Sequence, residues 1–315
     1  MSQPVGLRED PSWYTPADLP GELLASDDSL RDALQVGAAG KVGVLDLALG
    51  RHGGVTRLVR HYQRVPLHVY RPIYLDESRP DMAFLYLQHF GDGLVQGDRY
   101  RIDIDCGPGT STHVTTQAAT NVFAARQNFA TQLINLRVGA GAVLEYLPDP
   151  MVPFRGSRVF QRTCVTAGRD ATVILGEIML PGRVAHGERH VYDLYWTETE
   201  VRRPDGTLLF ADVLRLGTRG GKSANSIGLL GSYDVLAALY VISGSTEPAG
   251  IVAALGGALE SAAVLVGVTE LPGRAGAVVK LLGPSSKAVQ AGLRTAWNAA
   301  RLELLGAPAP NLRKG

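Results

Sequence analysis

Short segments in which apolar and polar residues alternate fill most of the chain after residue 40. In residues 100–105 the isoleucines fall on one side and the aspartates on the other, which is the period of a half-buried strand. Similar segments are predicted as strands at residues 42–47, 58–61, 66–70, 82–89, 133–138, 142–147, 159–166, 171–177, 191–201 and 208–216. Short strands at regular spacing, separated by glycine turns, predict a mainly β body that is antiparallel or coiled.

Two or three helices are predicted near the C-terminus. Residues 248–268 are mostly small and apolar, and residues 288–305 follow a clearer helical period. The second helix has Ser285 or Ser286 as a candidate N-cap and Gly306 at the position after its end. Its apolar stripe is expected to pack on the β body, and consists of Val289, Leu293, Trp297, Ala300 and Leu304.

The first forty residues differ from the rest of the chain. Four prolines fall there among acidic residues and serines, so we expect a weakly ordered extension, with a short helical pattern at residues 28–35. Residues 41–315 are then expected to form a single β-rich domain.

Composition narrows the class of protein. Apolar residues make up 45% and charged residues 19%, which permits a sizeable core, and the formal net charge of +1 gives no basic surplus for nucleic acid. The two cysteines, Cys106 and Cys164, form no C-x-x-C motif and are expected to be buried thiols in a reducing compartment. No secretory signal is apparent, and residues 249–268 make a poor membrane span because they contain Glu260 and several glycines. A cytoplasmic protein without nucleic-acid or membrane binding is predicted.

Residues 115–132 form an unusually polar stretch between strand-like segments. The stretch is rich in threonine and amide side chains and contains no acidic residue and no glycine, so it fits neither a surface loop nor a core strand. Buried hydroxyls and amides need hydrogen-bond partners. The stretch therefore indicates a polar interior, a channel wall or a docking surface.

Residues 186–190, His-Gly-Glu-Arg-His, invite comparison with the H-E-x-x-H zinc motif, but order and geometry differ. The zinc motif needs a helix, whereas the glycine here and the pattern that follows favour a strand. On a strand His186, Glu188 and His190 would share one face, as separate metal-handling or partner-contact groups or as an ordinary polar face.

No other catalytic motif stands out. The chain has no G-x-S-x-G elbow and no phosphate loop with its lysine. Four acids follow or end predicted strands, and they could be paired catalytic carboxylates, transient oxygen ligands for a divalent ion, or solvated turn residues: Glu145, Asp149, Glu177 and Glu188.

An ordered set of segments resembles the urease accessory proteins of the UreD (UreH) family. The set comprises Thr-Thr-Gln-Ala-Ala-Thr at 115–120, Pro-Leu at 66–67 with Arg-Pro at 71–72, the glycine loop 93–98, Gly139-Ala140, Leu-Glu-Tyr-Leu-Pro at 144–148, the pairs Gly176-Glu177, Gly182-Arg183 and Gly187-Glu188, and Trp297, Arg301 and Gly306. The resemblance covers roughly residues 41–312.

The resemblance implies a β-helix-like stack of short strands with two helices, and a non-enzymatic role as scaffold or chaperone. Proteins of this type act with apo-urease, a UreF-type accessory protein and, through it, a UreG-type GTPase, as part of a dimeric hetero-complex that delivers nickel to urease. No permanently bound cofactor is implied, only nickel in transit through an internal passage. The candidates for lining that passage are Asp98, Thr115, Thr116, Gln117, Glu145, Asp149, Glu177 and Glu188.

Two alternatives come from other classes of function. A carbohydrate-active β-helix enzyme would need two facing carboxylates in an open cleft with stacking aromatic residues. A β-rich binding module would instead dock a partner through its late helices.

Overall fold

A computed structural model describes residues 10–24, 41–217, 224 and 226–312. Strands dominate these residues and are, in chain order, β1 Val42–His52, β2 Val55–Arg64, β3 Leu67–Val69, β4 Ala83–His89, β5 Gly93–Leu94, β6 Arg99–Cys106, β7 Ser111–Thr116, β8 Thr120–Val122, β9 Ala130–Val138, β10 Val143–Tyr146, β11 Met151–Pro153, β12 Arg158–Ala167, β13 Thr172–Met179, β14 Leu194–Arg202, β15 Leu208–Gly217, β16 Val235–Ser243, β17 Leu265–Glu270 and β18 Gly276–Gly283. The helices are α1 Gly21–Leu24, α2 Pro248–Leu259 and α3 Ser286–Leu305, with 3-10 turns at Pro11–Trp13, Val184–His186 and Pro272–Arg274.

The strands coil into a β-solenoid of four successive turns. Strands β1, β6, β9, β12 and β14 form a parallel ladder in the first sheet, and β4, β7, β10 and β13 form one in the second sheet. In each of the first three turns the chain passes from the second sheet through β5, β8 or β11 to the first sheet. The predicted β-helix-like stack of short strands is therefore confirmed.

Antiparallel strands extend the ends of both sheets. In the first sheet, β2 pairs with β1 and β15 with β14. In the second sheet, β3 pairs with β4, while β16, β18 and β17 continue beyond β13. The main core lies between the two sheets, and a second core lies between the outer face of the second sheet and the two long helices.

Apolar and polar residues alternate along the strands, so that every second side chain points into the main core. In β6, Ile102 and Ile104 are buried in the main core. Asp103, which faces the opposite way, accepts hydrogen bonds from Arg101 at 2.8 Å and from Asn135 at 2.8 Å. The predicted two-sided pattern of this strand is confirmed.

Helix α3 has the predicted ends and the predicted buried stripe. Ser285 Oγ accepts the N–H of Ala288 at 3.3 Å, and Gly306 adopts the left-handed conformation, with φ 62, after the last turn. Val289, Leu293, Trp297 and Ala300 are buried in the second core, and Leu304 packs against its edge. The stripe therefore packs on the β body, as expected.

The predicted helix over residues 248–268 is wrong in its second half. Helix α2 ends at Leu259, and Leu265–Glu270 forms the edge strand β17, paired with β18. The alternating burial of β17 and its β-branched residues favour a strand that is half covered. Within the part of the chain that the structure describes, no helix is both long enough and apolar enough to span a membrane.

Part of the N-terminal segment packs on the solenoid. Trp13 and Tyr14 contact Val44, and the carbonyl oxygen of Trp13 accepts a hydrogen bond from Arg101 at 2.7 Å. Leu19 and Leu23 join a small cluster against the first sheet. Residues 1–9 and 25–40, including the short helix expected at 28–35, lie outside the described residues.

The turns from the first sheet to the second stack closely through glycines. The N–H of Gly139 donates to the carbonyl oxygen of Cys106 at 2.8 Å, and that of Gly168 donates to Val138 at 2.8 Å. A Cβ on Gly139 would lie 2.7 Å from the backbone nitrogen of Pro108, and one on Gly168 would lie 2.9 Å from that of Ala140. Since these neighbours are backbone atoms, they cannot rotate away.

Gly139→Ala is therefore expected to lower the free energy of unfolding by about 1–3 kcal/mol, the usual cost of overpacking. Gly267→Ala in β17 is the matched control, because a Cβ there meets nothing within 4 Å. Urea unfolding of both variants measures the difference. Equal urea midpoints for Gly139→Ala and Gly267→Ala would mean that the stacked turns can move apart at little cost in stability.

Candidate functional site

Part of the polar stretch, residues 116–121 with Gln132, lines a pocket of the solenoid whose rim includes exposed residues such as Asp92. The pocket has a volume of about 380 Å³ and lies behind the connection from β7 to β8. We call this cavity the polar chamber; its lining residues are Leu67, Leu87, Gln88, His89, Asp92, Gly93, Tyr100, Ile102, Thr116, Gln117, Ala118, Ala119, Thr120, Asn121 and Gln132. Residues 116–121 of the stretch thus form one wall of this pocket.

A chain of hydrogen bonds runs along one side of the polar chamber. The buried carboxylate of Asp98 accepts the N–H groups of Lys41 and Val95, each at 2.9 Å, and the hydroxyl of Tyr100 at 2.7 Å. The Nε2 atom of His89 lies 2.8 Å from the same hydroxyl oxygen. Burial lowers the pKa of His89, although the charge of Asp98 opposes it, and burial raises the pKa of Tyr100. Both rings are therefore neutral near neutral pH.

An open groove of about 1190 Å³ lies on the other side of the same stretch. We call it the outer groove. Gln88, Gln117, Ala118 and Ala119 line both the groove and the polar chamber. A thin wall of small and amide side chains therefore separates the interior from the surface here.

Asp149 lines the outer groove and is joined to Thr116. The N–H of Asp149 donates to Thr116 Oγ1 at 2.8 Å, and that hydroxyl lies 3.3 Å from Asp149 Oδ2. Of the candidate residues, Thr116, Gln117 and Asp149 are thus brought together at the wall between groove and chamber.

A smaller cavity of about 30 Å³ lies between the sheets in the fourth turn. Glu177 Oε1 accepts the hydroxyl of Thr199 at 2.7 Å. Asp212 accepts the hydroxyl of Tyr240 at 2.7 Å, and its Oδ2 atom lies 2.5 Å from the ammonium of Lys280. We call this cavity the inner acidic cavity; it is lined by Glu177, Met179, Tyr195, Thr197, Asp212, Leu214, Leu236, Ala237, Ala238, Tyr240 and Lys280.

The pKa values of the two acids in the inner acidic cavity are shifted in opposite directions. Burial raises the pKa of Glu177, and the nearby charge of Asp212 adds to the effect, while the hydrogen bond from Thr199 opposes it. Burial also acts to raise the pKa of Asp212, but hydrogen bonds from Lys280 and Tyr240 outweigh it, so the pKa is lowered. Glu177 is therefore the more readily protonated of the two acids.

Glu145 lies outside both cavities, on the outer face of the second sheet under α3. Its carboxylate accepts the Nδ1–H of His113 at 2.7 Å and the guanidinium of Arg301 at 3.1 Å. Arg301 also pairs with Asp76, and the side chains of His113, Glu145 and Arg301 are 0% exposed. We call these four residues the buried ion cluster, and it joins α3 to the sheet and to the loop before β4.

The side chains of three other candidates form hydrogen bonds within the protein. Asp98 holds the turn before β6, and Thr115 Oγ1 donates to the carbonyl oxygen of Leu147 at 2.6 Å. Glu188 accepts two hydrogen bonds from Arg183, at 2.6 and 2.9 Å. The guanidinium holds the pKa of Glu188 below its ordinary value.

The strand expected across His186, Glu188 and His190 is wrong. Val184–His186 is a 3-10 turn that ends at Gly187 with φ 70, and β14 begins only at Leu194. His190 has a φ of 54 and is buried, whereas His186 is exposed. The three side chains do not share a face, because the left-handed residues turn the chain instead of extending it.

The eight candidates thus do not meet in one place. Thr116, Gln117 and Asp149 lie at the wall of the polar chamber, Glu177 lies in the inner acidic cavity, and the others lie elsewhere. Among the described ranges, no group of three or more His, Cys, Asp or Glu side chains is arranged to hold a metal ion. The oxygen donors are distributed along the solenoid.

Sequence reasoning missed several residues that shape these cavities. His89 and Tyr100 looked like ordinary strand positions, and Asp212 and Lys280 carried no motif. A polar residue on the inward-facing side of a strand was the available signal for Tyr100, since Ile102 and Ile104 share its face. No local signal pairs Lys280 with Asp212.

The cavities also bear on the carbohydrate-enzyme alternative. Glu177 and Asp212 are paired acids, but a cavity of about 30 Å³ has no room for a sugar ring. The outer groove is large enough and carries Tyr70, Tyr74 and Tyr86, yet Asp149 is the one acid among its described lining residues. The described groove therefore lacks the facing carboxylates that this chemistry requires.

Comparison with known proteins adds independent evidence. A family model described as UreD urease accessory protein matches residues 41–315. The chain is 42% identical over 298 residues to urease accessory protein UreD 2 of Streptomyces griseus, covering 92% of this chain and 100% of that protein. It is 35% identical over 283 residues to UreD of Cenarchaeum symbiosum, covering 89% and 99%, and 36% identical over 279 residues to UreD of Haloarcula marismortui, covering 89% and 92%.

Proposed function

The chain belongs to the UreD family of urease accessory proteins, and on that premise we propose that it is a non-enzymatic scaffold, or chaperone, for nickel insertion into urease. Nickel is the cargo of this function, not a resident cofactor. The observation that carries the proposal, beyond the family, is a pair of polar cavities in the solenoid, one along the connection from β7 to β8 and one between the sheets in the fourth turn.

The positions of the cavities favour an internal route for the ion. Thr116 and Glu177 both face the interior, on β7 and β13, which are two ladder steps or about 10 Å apart. Tyr146 lies on the intervening strand β10, in register with Val114 and Leu175, and its pKa is raised by burial and by the charge of Glu177. Hydroxyls, amides and single carboxylates offer weak and replaceable ligands, which suits an ion in transit better than a closed cage does.

Only four of the eight candidate residues are proposed to line the nickel passage. Thr116, Gln117, Asp149 and Glu177 line cavities and are proposed to contact nickel. Asp98, Thr115, Glu145 and Glu188 are proposed to hold the walls, because they line none of these cavities and their side chains hydrogen-bond to other parts of the protein.

A scaffold also needs surfaces for partners. Tyr70, Ile73 and Tyr74 are large apolar residues on the rim of the outer groove, between 43% and 61% exposed. Exposed apolar groups of this size are typical of interaction sites. We propose apo-urease and a UreF-type protein as the partners, with a UreG-type GTPase bound through the latter, in a dimeric hetero-complex in the cytoplasm.

Leaving this chain out of a co-expressed urease system tests the function. With limiting nickel, urease subunits and UreF- and UreG-type proteins, we expect assembled urease that is inactive and poor in nickel unless the chain is present. Nickel per subunit and ammonia release are the measurements, and the purified chain alone should release no ammonia from urea. Full activity and nickel content without the chain would contradict the proposal.

A further inference from the structure

His89 carries a buried ring nitrogen without a hydrogen-bond partner among the described residues. The atom is Nδ1, and the ring belongs to the lining of the polar chamber. An unpaired buried polar atom costs about 1–3 kcal/mol, so it calls for an explanation.

The hydrogen-bond chain determines which ring nitrogen carries the proton. The hydroxyl of Tyr100 has one hydrogen atom, which it donates to Asp98 at 2.7 Å. Its oxygen can then only accept from His89 Nε2, which lies 2.8 Å away. Because a neutral imidazole has a single N–H, Nδ1 of His89 is left with a bare lone pair.

A histidine held in this way resembles a metal ligand before its metal arrives. Ligating histidines usually donate the other ring N–H to an acceptor that fixes the tautomer and the ring orientation. Here Tyr100 is that acceptor, and Asp98 fixes Tyr100 through a third hydrogen bond to its own carboxylate. We propose that Nδ1 of His89 binds nickel within the polar chamber.

Other polar groups line the same chamber as His89. Asp92 lies on an exposed turn, also lines the chamber, and is close enough for its charge to act on His89. The amides of Asn121 and Gln132 line the same cavity, whose volume of about 380 Å³ leaves room for several waters. One imidazole and one carboxylate, with the charge of Lys41 also acting on His89, would bind the ion without trapping it.

The imidazole also allows the passage to select among metal ions. Imidazole nitrogen favours late transition metals such as nickel, whereas oxygen-only sites suit magnesium and calcium. Nickel as the ion rests on the proposed function, but the ligand role of His89 can be measured on the isolated chain.

Nickel titration of the full-length chain tests the ligand role. His89→Gln is expected to weaken Ni²⁺ binding by about tenfold, and Tyr100→Phe to weaken it by a similar factor, because the fixed tautomer is lost. His52→Gln is the control, since His52 is exposed on β1 away from the chamber. Mg²⁺ binding should not change in any variant. Ni²⁺ affinity of His89→Gln equal to that of His52→Gln would overturn the proposal.

Nitrogen-15 NMR of the wild-type histidine rings gives a second test that needs no variant. We expect His89 as the Nε2–H tautomer, with its signals broadened by Ni²⁺ before those of His52. An Nδ1–H tautomer, or earlier broadening at His52, would overturn the proposal even if His89→Gln failed to fold. If one of these outcomes were found and urease activation still required the chain, the proposed scaffold function would stand without the ligand role of His89.

Discussion

Arg301→Met is expected to lower the free energy of unfolding by about 3–5 kcal/mol, the usual result of removing one partner from a buried ionic group. The guanidinium of Arg301 pairs with the carboxylates of both Asp76 and Glu145. Its side chain is 0% exposed, so water cannot replace the lost hydrogen bonds. Urea unfolding, followed by circular dichroism, measures the change.

Arg294→Met is the matched control, because Arg294 is an exposed arginine on the same helix. It should change stability by less than about 0.5 kcal/mol. Adding Asp76→Asn and Glu145→Gln to Arg301→Met should recover much of the loss, since no uncompensated charge then stays buried. Equal midpoints for Arg301→Met and Arg294→Met would show that the buried ion cluster does not hold α3.

The buried ion cluster also connects α3 to the outer groove. Asp76 accepts the N–H groups of Ser78 at 2.9 Å and of Arg79 at 3.2 Å, so it shapes the loop between β3 and β4. The earlier part of that loop supplies Tyr70 and Tyr74 to the groove. A residue of the last helix therefore fixes the loop whose exposed aromatic residues are proposed to meet a partner.

Local pattern was enough to predict most strands and helices with one covered face, although the half-covered strand β17 was predicted as helix. β6 alternates because one face meets the main core and the other meets charged neighbours, and α3 shows a stripe because one side meets the sheet. β16 was missed because it is buried on both faces, between the main core and the helices. A continuous apolar run of this kind has no period from which a strand can be distinguished.

The candidate site was predictable only where its residues are neighbours in sequence. Residues 116–121 drew attention as a block and do line the polar chamber. Glu177 meets Thr199, Asp212 and Lys280 only because the solenoid and its added antiparallel strands bring distant segments together. Sequence spacing alone could not connect these distant residues. The set of segments that resembles the UreD family, in the same order along the chain, was what connected them.

Glu177→Gln is expected to lower the rate of urease activation by about 10–100-fold at limiting nickel, because it removes one of the two carboxylates of the inner acidic cavity without changing the size of the cavity. Glu200→Gln is the control, since Glu200 lies on β14 outside both cavities and pairs with Arg202. The measurement is the nickel content of urease purified at successive times after nickel is added. Equal nickel content with both variants would remove Glu177 from the route.

The same substitution is expected to stabilise the fold at neutral pH. The pKa of Glu177 is raised above its ordinary value of 4.5 in the folded protein, chiefly by burial. Below that ordinary value the carboxyl group is protonated in both states and adds nothing. As the pH rises above it, the unfolded chain releases the proton first, so the group increasingly disfavours folding. Glu177→Gln should therefore raise the unfolding midpoint at neutral pH, and the gain should shrink towards pH 4.5. A lower midpoint at neutral pH would mean instead that Lys280 stabilises the ionised carboxylate.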